Sequence, residues 1–160
     1  MQTPTAPLHT EQSEFVWPLL IAGCCLTIVA ALVLGVGAPG HMVLRHVVQT
    51  LSLWPAVVLG LRRSPAAGWF GLPVFLFWTA LMTMIWLYLL GLSHAISGQF
   101  SPLEIAMTAI VGAASVLGTI GFVPVRSALT LGKGLAVFVG MLLFSVLCFR
   151  VSFLPQIAHR

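Results

Sequence analysis

Five apolar runs, each about the length of a membrane crossing, follow one another along this chain: residues 15–37, 42–61, 69–92, 103–123 and 134–154. They leave few folds open. Away from water, backbone polar groups must be satisfied within the segment or in a closed barrel, and runs of this length without alternation read as helices. Composition points the same way. The chain is 59% hydrophobic and only 6% charged over 160 residues, whereas a soluble domain carries roughly 25% charged residues. Seven Lys and Arg with three acids cannot cover a solvated surface. The expected fold is an all-α integral membrane bundle of five transmembrane helices. It forms a single domain over residues 14–155, between a mobile polar N-terminus (1–13) and a short C-terminal tail (156–160).

The run at 42–61 is the weakest of the five. Arg45, His46 and Gln49 interrupt it, and Pro55 is placed to kink it. If it lies along the interface instead, the bundle has four spans. Ser13 is a candidate cap for the first helix, and Ala38-Pro39-Gly40 reads as a tight turn. Ser101-Pro102-Leu103-Glu104 has the form of a capping box with Pro at the first helical position. Ala114, Gly118 and Gly121 share one helix face and permit close backbone approach, either within the bundle or against another subunit. Trp17, Trp69, Trp86 and Tyr88 are candidates for the interfacial aromatic belt.

Cys24, Cys25 and Cys148 fall inside apolar runs. Adjacent side chains diverge on a helix, so no disulfide framework is expected. The N-terminus lacks a basic leader region, and the first run reads as a retained helix, not a cleaved signal peptide. A net charge of +4 without a basic stripe does not suggest nucleic acid as a partner.

Five spans place Arg62, Arg63, Arg126 and Lys133 on the face of the N-terminus. The positive-inside bias makes that face cytoplasmic, in what is expected to be a bacterial inner membrane. The opposite face gathers His41, His46, His94, His159, Arg45, Arg150, Gln49, Met42 and Glu104. Ionisable residues are costly at a membrane boundary and mark a functional site.

Three uses of that face compete. A metal or haem site can draw on His41, His46 and His94 with Glu104, since imidazole is the commonest ligand of zinc, copper and haem iron. On one helix His41 and His46 stand about 140° apart, so they converge only if His41 precedes the helix. A structural use pairs Arg45 or Arg150 with Glu104. Transport needs ionisable or unwound sites near the midplane. The midplane here offers only Thr, Ser, Cys and Met, which leaves a pathway lined by a homo-oligomer. The chain has no Asp, hence no Ser/His/Asp set, and Gly132-Lys133-Gly134 lacks the spacing of a phosphate-binding loop. A self-contained active site is not expected.

His41-Met42-x-x-x-His46, followed by an apolar run with Pro55 and then Leu59-Gly60, resembles the His-Met-x-x-His segment of the membrane copper-delivery proteins that assist haem–copper oxidase assembly. The likeness spans His41–Gly60, with one extra residue before His46, and implies copper as the metal of the outer-face histidines. The function expected from the sequence is that of a non-catalytic subunit or assembly partner of a larger membrane complex. The alternative is a haem-, copper- or quinone-linked membrane protein that uses the gathered histidines.

Overall fold

The computed structural model describes residues 8–94 and 99–158, and every element in them is helical. Helix α1 (Leu8–Ala30) runs on into a π-helical stretch, Ala31–Gly37. α2 (Val43–Thr50) and α3 (Trp54–Leu61) are joined through the 3-10 turn Leu51–Leu53. α4 (Ala67–Leu89) follows. α5 (Pro102–Phe122) is extended by a 3-10 segment, Val123–Ala128, and α6 (Leu131–Val151) leads to the single turn α7 (Pro155–Ala158).

Five segments are long and apolar enough to cross a membrane: Val16–Gly37, Val43–Leu61, Ala67–Leu89, Pro102–Arg126 and Leu131–Val151. The weak second run is therefore a full member of the bundle. Several boundaries differ from the sequence expectation by a few residues: the third crossing is Ala67–Leu89 instead of 69–92, and the fourth runs on to Arg126 instead of ending at 123. The first helix already begins at Leu8, so Ser13 lies inside it and does not cap it. The last crossing starts at Leu131 and not at 134, because Thr130 is extended and releases the helix directly after it. It ends at Val151, four residues ahead of Pro155. Residues 1–7, 95–98, His159 and Arg160 lie outside the described residues.

The break in the second crossing follows from Pro55. Proline has no N–H to offer the Leu51 carbonyl four residues earlier. The N–H of Trp54 bonds that carbonyl instead, which tightens one turn into 3-10 geometry. Gln49, Thr50 and Ser52 are buried around this break. The π stretch has the opposite character. Bonds from Ala38 N–H to Val33 O (2.9 Å) and from Met42 N–H to Gly37 O (2.8 Å) each span five residues. His41, at φ 54, completes the turn into α2.

α1 packs on α3 and α5, α4 packs on α5 and α6, and α2 leans on the π stretch and α6. Ile21, Ile28, Leu53, Val74, Phe75 and Val111 form the fully buried centre. The Ala114, Gly118 and Gly121 face is consumed inside the chain. A Cβ built on Gly118 would run into the Phe75 ring of α4, and one on Gly121 would stand 3.4 Å from Leu20 of α1. Trp69 is buried as well. Its indole N–H donates to Arg126 O at 3.0 Å and its ring meets Phe122 edge-on, so it serves the bundle and not a lipid-facing belt. Helix hydroxyls bond back to their own backbone, as with Ser115 to Val111 O and Ser145 to Met141 O (both 2.8 Å), which meets the demand for internal satisfaction. Leu34, Leu61, Leu117, Ile120, Leu143 and Leu147 point outward, an apolar exterior that suits lipid.

Candidate functional site

At the end of the bundle that carries His41, the helices part to leave a cavity of about 320 Å³. The irregular backbone borders it. Leu32 and Val36 come from the π stretch, and Met42, Arg45, His46 and Gln49 come from the turn and α2. α4 supplies Trp78, Leu81 and Met82. Glu104, Met107 and Thr108 come from the first turns of α5, Phe149 from the end of α6 and Phe153 from the turn that follows it. Apolar and aromatic walls with a few convergent polar groups are the usual make-up of a small-molecule site. Local π-helical geometry is itself frequent at such sites.

His46 is buried, and its ring is fixed by one bond: Nδ1 lies 2.9 Å from the Met42 carbonyl oxygen. A carbonyl only accepts, so Nδ1 carries the proton. In the neutral ring Nε2 then bears the lone pair. The same backbone–imidazole arrangement orients histidines that serve as bases or ligands.

Among the described residues Arg45 is held by a ring and a sulfur. Its guanidinium carbon sits 4.1 Å from the centre of the Phe153 ring, and Nη1 donates to Met42 Sδ at 3.6 Å. Phe153 is in turn packed on Phe149 at 5.0 Å between ring centres, and Phe149 on Phe77 at 5.6 Å. Arg45 Nε is buried with no acceptor among the described residues, and so is the indole N–H of Trp78. Unpaired buried donors are rare enough in folded chains to call for an explanation.

Glu104 forms the capping box the sequence indicates. Ser101 N–H donates to its Oε2 at 2.7 Å, and Glu104 N–H donates to Ser101 Oγ at 3.3 Å. Ser101 O–H also donates to Oε2, at 2.9 Å. Glu104 and Arg45 thus line one cavity, but among the described residues Glu104 bonds Ser101 while Arg45 meets Phe153 and Met42; Arg150 is exposed.

Of the histidines expected at this face, the cavity wall holds His46. His41 and His94 are exposed and lie outside the wall. Among the described residues no group of three or more His, Cys, Asp and Glu is placed to hold a metal ion. Cys24, Cys25 and Cys148 are free thiols buried in the bundle.

Sequence reasoning missed the bond that fixes the floor of the site, from Gln49 Nε2 to Ser152 Oγ at 3.0 Å. The Ser152 O–H donates in turn to Phe149 O at 2.7 Å, so α2 and α6 are tied by a buried polar chain. Two polar residues inside apolar surroundings were the only available signal. Met82, Met107, Phe149 and Phe153 carried none, since apolar residues facing a cavity look like any others.

Fold and site together define a small five-helix bundle of membrane-spanning character with a molecule-sized cavity at one end. No family model, curated protein or solved structure matches the chain.

Proposed function

We propose that this chain is a non-catalytic subunit of a larger membrane complex, and that its own task is to hold a small lipid-soluble aromatic molecule beside His46. The cavity carries this reading. An engineered protein cavity of ~150 Å³ accepts benzene, so about 320 Å³ suits a substituted one- or two-ring compound. Trp78, Phe149 and Phe153 offer it aromatic faces, and His46, Arg45 and Gln49 offer a polar edge. The basic residues Arg62, Arg63, Arg126 and Lys133 belong to the opposite end, which supports placing the cavity in the non-cytoplasmic half of a bacterial inner membrane. About two thirds of the chain's residues lie in the five crossings, which supports a role inside a complex.

Copper(I) is a second reading, favoured by one observation. The thioethers of Met42, Met82 and Met107 share the cavity with His46, and such soft ligands select that ion. Against it, the Met42 sulfur already accepts from the Arg45 cation.

Purification in mild detergent, followed by organic extraction and mass spectrometry, tests the proposal. A ring compound recovered at about one per chain, together with partner subunits, is the expected result. Stoichiometric copper and no organic molecule would replace it with the second reading.

A further inference from the structure

We propose that the molecule held beside His46 is a hydroquinone: an aromatic ring whose hydroxyl donates to His46 Nε2 and whose second ring oxygen accepts from Arg45. This inference rests on the ring-binding role proposed above and names the ligand class of that same cavity.

The polarity of the site selects the ligand. Because His46 spends its Nδ1–H on the Met42 carbonyl, the nitrogen left for a ligand is an acceptor in the neutral ring. A neutral imidazole in this tautomer cannot donate to a carbonyl oxygen through Nε2. An oxidised quinone would bring one lone pair against another there, while a hydroquinone brings an O–H. Glu104 adds to the same preference, since a carboxylate on the wall also only accepts.

The second end of the ring is addressed by Arg45. Its guanidinium is positioned by the Phe153 face and the Met42 sulfur, and Nε has no acceptor among the described residues. An always-charged donor group at the wall favours an oxygen-bearing ligand over a hydrocarbon. Donor demand and acceptor demand therefore occur together across one cavity with aromatic walls, and a ring with oxygen at two positions answers both. A ligand lacking the O–H leaves His46 Nε2 desolvated and unpaired, which is the kind of loss on which enzymes and receptors discriminate.

The test uses the purified full chain in lipid nanodiscs under anaerobic, reducing conditions. Tetramethylhydroquinone, its dimethyl ether and tetramethylbenzoquinone are titrated in turn and followed calorimetrically, the quinone without reductant. The hydroquinone is expected to bind at one per chain and about tenfold more tightly than either the ether or the quinone. In His46→Phe the hydroquinone should fall to the affinity of the ether. The comparison on the unmodified chain decides the matter even if that variant does not fold. Equal affinity for hydroquinone and ether overturns the hydroxyl assignment while leaving ring binding intact. Absence of binding by all three overturns both the inference and the role it rests on.

Discussion

Gln49 and Ser152 show how a single bond can carry a site. They are 103 residues apart in sequence and meet at 3.0 Å in the interior. Interhelical hydrogen bonds in membranes average only about 0.6 kcal/mol, but a buried donor left without a partner costs about 1–3 kcal/mol. Ser152→Ala removes the acceptor and strands the Gln49 amide. It should therefore destabilise by about 1–3 kcal/mol. The double variant Gln49→Leu/Ser152→Ala should recover much of that loss, because neither half of the pair is then left unsatisfied. Unfolding in mixed micelles measures the cycle. A Ser152→Ala chain as stable as the parent would mean that the bond contributes nothing. Glu104 illustrates the other outcome, a residue whose local role the sequence states in full. The Ser-Pro-x-Glu spacing predicts a capping box, and the bonds at 2.7 and 3.3 Å are that box. A pairing of Glu104 with Arg45 or Arg150 is a long-range matter that spacing does not address; among the described residues Arg45 meets an aromatic ring and a sulfur.

Among the elements, crossings are readable because each is set by run length alone, and the five agree with the sequence to within a few residues. Breaks are harder. Pro55 announces the 3-10 turn of the second crossing, whereas the π stretch at Ala31–Gly37 has no comparable marker in its residues. Topology also fixes only the height of a residue along the bundle, not its direction around a helix. His41, His46 and His94 share one end, yet only His46 turns into the cavity. Close approach between elements gives a sharp prediction. Gly118 faces the Phe75 ring across the contact of α5 with α4, while a Cβ on Gly140 of α6 meets nothing within 4 Å. Gly118→Leu should cost about 1–3 kcal/mol or more through overpacking, and Gly140→Leu should melt with the parent. Equal melting of the two variants would show that α4 and α5 do not pack through this face.

For the whole molecule, five crossings place the turn at 38–42 and the loop containing Gln99 at one end, and Arg62 and Arg63 at the other. With the native cysteines replaced, an impermeant maleimide applied to intact cells should label a cysteine at Gln99 and spare one at Arg63. Labelling at Arg63 alone would invert the orientation. Labelling at both sites would be incompatible with Ala67–Leu89 as a single crossing. The functional claim depends on where a ligand sits, and Leu81 is well placed to test it, because it lines the cavity and is only partly buried. Leu81→Trp fills that space from the wall without touching His46, Arg45 or Gln49 by substitution. Stoichiometry of tetramethylhydroquinone binding in nanodiscs, read beside thermal melting, is the most direct measurement. One molecule per parent chain and none per Leu81→Trp chain, with melting preserved, is the predicted result; undiminished binding in a folded Leu81→Trp chain would contradict it.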